Sequence, residues 1–228
     1  MSKCEQCIVR KFNSLKHLSK DELVRMSACK TSKIIKKGEP LFVEGEHING
    51  VFCIKDGICK VSKMSENGKN QIVNLVHRGD LIGERSLISD EVSNLNAVAL
   101  NDLEICFIPK TEIIRDLEKN PNFTMDVLKT MANSLKNADN LIVDMAQKTV
   151  KQRLAEALLN LEEKFGTTNE GTLDIQLSRE DIANIIGTAT ESAIRLLSNL
   201  KKKEIIVFKG KDIKIINHNE LEKISHGF

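Results

Sequence analysis

No stretch of the chain approaches the about 18 consecutive apolar residues that a membrane-spanning helix needs, which excludes a helical membrane protein. The first residues, Met1 to Arg10, scatter charges where a secretory leader would keep an unbroken apolar core, so a cytoplasmic location with no membrane partner is predicted. A basic excess is missing too. The 34 Lys and Arg against 32 Asp and Glu leave a net charge of +2, and Lys148 to Phe228 carries 13 against 12. Composition therefore builds in no general attraction to nucleic acid, and any DNA contact must depend on where particular side chains stand. A Walker-type glycine loop, an HExxH pair and a Ser-His-Asp arrangement are also lacking, and the 5 histidines lie in turns or near the end, which argues against an enzyme.

The 228 residues, 41% hydrophobic and 29% charged, suit one large domain or two small ones with ordinary cores. From Thr31 to Pro109 short β-prone runs alternate with glycine turns: Pro40 to Val43, Val51 to Ile54, Ile58 to Ser62, Gln71 to Val76, Ala97 to Leu100 and Glu104 to Ile108. Asp56-Gly57 and Asn67-Gly68 are good hairpin corners, and strands at this spacing predict a jelly roll or barrel. From Thr111 the pattern turns helical. Leu128, Leu135 and Ile142 recur every seven residues, with Met131, Ala138 and Met145 at the complementary positions, so one apolar stripe faces either a second copy of the chain or its own sheet domain. A second helix is expected over Val150 to Phe165, then a short strand over Leu173 to Leu177. The last part reads helix, turn, helix and a hairpin, with strands at Ile205 to Phe208 and Ile213 to Ile216. The predicted class is α+β, divided into a Cys-bearing helical segment (1–30), a β sensor domain (31–110), a helical region with a long dimerisation helix (111–147) and a winged helix-turn-helix (148–228).

Ser178 to Leu200 carries the strongest signal. Ser178 with Asp181 reads as a capping box; Ile182, Ile185 and Ile186 form a buried face; Ala183 admits a close crossing; and Gly187 stands where a helix ends in a left-handed residue. Thr188 is expected to cap the second helix, which buries Ala193, Leu196, Leu197 and Leu200 and turns Thr190, Glu191, Ser192 and Arg195 outward. Arginine can donate two parallel hydrogen bonds to guanine, glutamate can accept from cytosine, and positions 191 and 195 are one turn apart, so both fit one major groove. Each residue also has a purely structural use: Thr188 with Glu191 as a capping box, and Glu191 with Arg195 as a favourable i, i+4 pair. Lys201, Lys202 and Lys203 after this helix, and Lys209 and Lys211 in the hairpin, serve either as solvated surface or as phosphate contacts.

With those residues in view, nearly the whole chain resembles the CRP/FNR superfamily of bacterial regulators, most specifically over Leu177-Ser-Arg-Glu-Asp-Ile-Ala-Asn-Ile-Ile-Gly-Thr-Ala-Thr-Glu-Ser-Ala-Ile-Arg195. The resemblance implies a cyclic-nucleotide-binding-type jelly roll, homodimerisation, a palindromic double-stranded operator, contact with RNA polymerase and gene activation. It assigns base reading to Glu191 and Arg195, with Arg179 and Thr190 on phosphates or flanking bases. Ile194 departs from the glycine or serine of the best-known members, which leaves the outer bases of the half-site open.

The effector divides the family. Cyclic-AMP-sensing members have a Gly-Glu pair followed by Arg-Ser for the cyclic phosphate. Gly83-Glu84 is here, but Asn94-Leu95 stands at the Arg-Ser position, and Ala138-Asp139 replaces the Thr-Ser pair that meets adenine, which argues against cyclic AMP. Arg85 is the one nearby cation in this degenerate pocket. The FNR branch holds an oxygen-labile iron-sulfur cluster on three N-terminal cysteines and one in the sheet domain. Cys4-Glu-Gln-Cys7 and Cys106 match, Asn13 stands where the third is expected, and Cys29 is the substitute considered. Four thiolates at Cys4, Cys7, Cys29 and Cys106 suit an iron-sulfur cluster or tetrahedral zinc. A Cys4 and Cys7 thiol sensor, or small-ligand control with structural cysteines, are the alternatives. Cys53 and Cys59, inside β-prone runs, read as packing residues.

Overall fold

The computed structural model describes residues 3–228, which form two compact units dividing between Lys136 and Asn137. The first begins with three short 3-10 turns at Cys4–Gln6, Ile8–Phe12 and Ser14–His17, followed by helix α1 (Lys20–Cys29). Ser19 and Glu22 close a reciprocal capping box at its start, satisfying two amides that the first turn cannot pair internally.

Eight strands then make two antiparallel four-stranded sheets. Strands β1 (Thr31–Ile35), β3 (Gly50–Asp56), β6 (Leu81–Ile82) and β8 (Leu103–Pro109) lie in the order β1-β8-β3-β6. Strands β2 (Pro40–Phe42), β4 (Cys59–Met64), β5 (Asn70–Val76) and β7 (Asn96–Ala99) lie in the order β2-β7-β4-β5. Every strand expected in this domain is present within two residues of its expected ends. Strand β1, helix α2 (Glu84–Ser89) and the two-residue β6 are additional to the expected elements; the last two are too short to show a period.

β3 and β8 are buried on both faces, and their alternation assigns each side. Ile54, Leu103 and Ile105 join Phe42, Cys59, Val61, Ala97 and Ala99 in one buried cluster, between the sheets. Val51, Cys53, Cys106 and Ile108 face the other way, into a core completed by Leu15, Leu23, Met26, Ile113, Phe123 and Val127. The last three come from helices α3 (Lys110–Lys119) and α4 (Pro121–Gln147). Pro121 separates these two helices, as expected of a residue that disfavours helical backbone just before it. The Arg25 guanidinium bridges Glu112 at 2.6 Å and the buried Asp116, tying α1 to α3.

The second unit contains α5 (Val150–Phe165), α6 (Arg179–Ile186), α7 (Thr190–Lys202), strands β9 (Ile206–Lys209) and β10 (Asp212–Ile215), and α8 (His218–His226). Thr149 and Gln152 cap α5 reciprocally. Leu154, Leu158, Ile186, Leu197, Ile205 and Leu221 are almost wholly buried. The Arg153 side chain donates to the carbonyls of Ile186 (2.8 Å), Lys148 (2.8 Å) and Met145 (3.2 Å), placing a cation on two helix C-termini where it meets their partial negative charge. The expected strand over Leu173 to Leu177 is absent. Leu173, Ile175 and Leu177 alternate inward as a strand would, but the only pairing among the described residues is a single bridge from Leu173 to Thr167. Alternating apolarity there records burial beside β10, to whose Ile213 carbonyl the Leu173 amide donates at 2.7 Å, and not a ladder. The terminal helix α8 is likewise additional to the expected elements.

Candidate DNA-reading surface and thiol cluster

Ser178 and Asp181 form the expected capping box of α6, and Gly187 ends that helix in the left-handed region at φ 64° and ψ 53°. Thr188 does not cap α7: Ala189 holds the cap position, with no side-chain hydrogen bond. The reason is that Thr188 still belongs to the preceding turn, where its amide donates to the Ala183 carbonyl at 3.0 Å. The capping box that would have occupied Glu191 is therefore not made.

α7 buries Ala193, Leu197 and Leu200, with Leu196 partly covered. This fixes its rotation and sends Glu191 and Arg195 into solvent, flanked by half-exposed Thr190 and Ser192 and by exposed Ile194. Among the described residues no ion pair joins Glu191 and Arg195. Both purely structural uses of Glu191 are thus unfilled, and the two side chains stand free, one helical turn apart.

Beside them lies a feature that no local pattern announced. The Phe208 ring in β9 carries the Arg179 guanidinium 4.5 Å and the Lys201 ammonium 4.6 Å from its centroid. Arg179 donates to the Gly210 carbonyl at 2.9 Å, while its second terminal nitrogen is buried without a partner. Burial lowers the Arg179 pKa from its ordinary value, yet guanidinium remains charged at any physiological pH. One aromatic ring thus holds cations from the start of α6 and the end of α7 against the hairpin. Gly210, with φ 60°, sits in the two-residue turn of that hairpin. Lys202, Lys203, Lys209 and Lys211 are exposed.

In the first unit, Gly83 enters α2 with φ 100° and Glu84 follows. One Glu84 carboxylate oxygen is buried with no hydrogen-bond partner. Burial pushes this carboxyl up to about 7, and Asp80 pushes it further the same way. Arg85 and Asn94 are exposed, and among the described residues no ion pair joins Arg85 to Glu84.

The cysteines divide in a way that residue order did not foresee. Cys4 and Cys106 are buried in one cluster, with Cys7 packed against it, but the third buried thiol there is Cys53. Cys29 is exposed at the end of α1, outside that cluster. Burial pushes the Cys53 thiol up to about 12, and its neighbours Cys106, Cys7 and Cys4 push in the same direction. Cys59 packs between the sheets as expected. As placed, no three Cys, His, Asp or Glu side chains among the described residues are arranged to hold an ion.

Along α4 the heptad residues Leu128 (53%), Leu135 (65%) and Ile142 (67%) are exposed, and within the first unit the sheets do not consume the stripe at Leu128 and Leu135. Ala138 is also exposed, and Met145 is half-buried. Met131 alone leans on the first unit's core.

Two domain families frame this geometry. Residues 32–120 match the cyclic nucleotide-binding domain and residues 152–224 the Crp-like helix-turn-helix domain, a pairing that defines a class of DNA-binding transcription regulators. The Fumarate and nitrate reduction regulatory protein of Vibrio cholerae is 31% identical over 226 residues, spanning 97% of this chain and 90% of that one. Its namesake in Escherichia coli K12 is 28% identical over the same shares. The fold matches that of FixK2 from Bradyrhizobium japonicum, with a TM-score of 0.77 and 23% identity over 86% of this chain and 96% of that one. It also matches a crp/fnr family transcriptional regulator from Eubacterium rectale, with a TM-score of 0.76 and 18% identity over 93% and 97%. The chain belongs to the CRP/FNR family of transcription regulators, and its class is regulatory, not catalytic.

Proposed function

We propose that the protein binds a palindromic duplex operator as a homodimer, reading each half-site with α7 under the control of a thiol-held metal centre in its sensor domain. Arg195 donates two hydrogen bonds to a guanine, Glu191 accepts from the cytosine amine of a neighbouring pair, and Thr190, Ser192 and Thr188 meet the flanks. Ile194 presents an apolar group that matches a thymine methyl. Arg179 and Lys201, held on Phe208, contact phosphates, which orient the protein on the duplex without adding sequence information. The observation that carries this reading is that Glu191 and Arg195 are both exposed, unpaired and directed from one face of a helix. Two copies related by a twofold axis along Leu128, Met131, Leu135, Ala138, Ile142 and Met145 place two such helices at half-sites about 34–36 Å apart. The state of the metal centre biases how these helices pair, and only one pairing fits the operator. Bound to DNA in the cytoplasm, the dimer meets RNA polymerase and activates transcription.

The donor chemistry of the sensor core, rich in buried thiols, fits an iron-sulfur cluster or zinc. A cluster would supply sensitivity to oxygen, and zinc would supply a structural tie. A second reading, control by a small cyclic-nucleotide-like ligand, is favoured by the one Glu84 carboxylate oxygen that is buried without a partner, which an incoming hydroxyl would satisfy. Cyclic AMP is a poor candidate within this reading, since Asn94-Leu95 stands where the resemblance places the Arg-Ser pair for the cyclic phosphate. Selection from a random duplex pool with the oxygen-free protein tests the central reading. A recovered palindrome with guanine and cytosine in its core is expected, and recovery of unselected sequence overturns it. Calorimetry with cyclic AMP and cyclic GMP tests the second reading.

A further inference from the structure

β3 and β8 pair antiparallel with Cys53 directly opposite Cys106. Residues opposite one another point to the same side of a sheet, with Cβ atoms about 4.5–5.5 Å apart. That side is the one turned away from the second sheet, because the sequence neighbours Ile54 and Ile105 lie in the inter-sheet core while Cys53 and Cys106 lie in the other. The segment that covers it brings Cys4 and Cys7, three residues apart around the first 3-10 turn. Four soft sulfur donors thus share one core, brought there by three separate pieces of backbone. Asn13 reaches the same spot: its side-chain nitrogen donates to the Cys53 sulfur at 3.6 Å and to the Gly79 carbonyl at 2.8 Å. The Ser32 hydroxyl lies 3.5 Å from the Cys106 sulfur. Cys29, by contrast, is exposed outside this core.

We propose that Cys4, Cys7, Cys53 and Cys106 are the ligands of a thiophilic metal centre, with Cys53 and not Cys29 completing the set. This rests on the metal-controlled reading given above and names the residues for it. Each thiol loses its proton to solvent as its sulfur forms a bond to the metal, so four ligations release four protons and leave the sulfur oxidation state unchanged. The thiols must turn to a common point, about 2.3 Å from each for zinc, and the Asn13 amide must release Cys53. Ligation therefore fastens the N-terminal turns to the centre of the sheet.

The test uses the full chain, purified without oxygen and offered either zinc chloride or ferrous iron with sulfide. Bound metal and sulfide per chain, visible absorbance and the sulfur coordination number from X-ray absorption are read for the wild type, Cys29→Ser, Cys53→Ser and the double variant Cys53→Ser with Asn13→Cys. The zinc arm gives a colourless centre and the iron arm a coloured one, which tells the two apart. Full loading with four sulfur neighbours is expected for the wild type and Cys29→Ser, and loss of the centre for Cys53→Ser. The double variant should recover it, since a thiol at 13 stands beside position 53. Circular dichroism reports whether Cys53→Ser folds. If it does not, the decision falls to Cys29→Ser, where retention of four sulfurs supports the assignment and loss of one overturns it. A Cys29→Ser protein that empties while Cys53→Ser stays loaded overturns the assignment and leaves metal control standing. A wild type that takes up neither metal overturns both.

Discussion

The DNA-reading surface and the thiol core are opposites in construction. The first is local: from Ser178 to Lys211 every side chain in play lies within 34 residues, and its two central members are exposed and unpaired. The second is assembled from Cys4, Cys7, Cys53 and Cys106, which are scattered along about a hundred residues and buried or nearly so. A surface that must meet base edges keeps its polar groups free, because a partner within the protein would have to be surrendered on binding. A site that must sense through sulfur hides its donors, because burial holds a thiol neutral and unreactive until a metal displaces the proton.

The largest effect expected is on the exposed seam. Leu135→Glu should abolish operator binding while the monomer stays folded, because position 135 is open to solvent in the single chain. Sedimentation together with fluorescence anisotropy on the selected operator checks this, and a dimer of undiminished affinity refutes the seam. Next comes the reading face itself. Arg195→Ala should cost about 1–3 kcal/mol, roughly 5- to 150-fold, on the operator, and should relax the preference for guanine at one position. A uniform weakening on all duplexes would demote Arg195 to a phosphate contact.

Glu84 sharpens the other half of the comparison. Its carboxyl is held up to about 7 when folded, against an ordinary value of 4.5, so the folded chain binds this proton more tightly than the unfolded one. The associated stability is fully present below about pH 4.5 and is lost as the pH rises through about 7. Glu84→Gln should flatten that dependence and stabilise the protein above pH 8 by on the order of 3 kcal/mol, as read from urea midpoints at pH 5 and pH 8. Equal gains at both values would show that the carboxylate is solvated.

Phe208→Ala removes the platform for two cations, each such interaction worth about 0.5–1 kcal/mol. Binding should weaken equally on specific and random duplexes, and the salt slope should fall by about 1 for each phosphate no longer neutralised; Phe208→Tyr should preserve both. The smallest effect belongs to the start of α7. Thr188→Ala should change stability by less than about 0.5 kcal/mol, whereas Ala189→Ser should add about 1 kcal/mol by supplying the missing cap. Thermal melts of the two variants check the cap position directly.

How much was legible beforehand follows from the range of the forces involved. Ser178, Gly187 and the period of Ile182, Ala193, Leu197 and Leu200 announce two helices and the turn between them, because caps, left-handed glycines and amphipathic faces act within one or two turns of the chain. The same kind of periodicity marks most strands of the sensor domain and the apolar stripe of α4. The residue that caps α7 differs from expectation by a single position, since the turn after Gly187 draws Thr188 into the end of α6. The alternation from Leu173 to Leu177 told of burial but not of pairing.

Residue order alone therefore determined the helix-turn-helix, the outward face bearing Glu191 and Arg195, and a sensor domain of short strands joined by glycine turns, all of which arise from short-range periodicity and turn chemistry. Only the tertiary structure decided that Cys53 faces Cys106, that Cys29 stands outside their core, and that Phe208 gathers Arg179 and Lys201. Each of these depends on which strand pairs with which, or on where one element crosses another, and no local pattern encodes a register set by burying a whole sheet face at once.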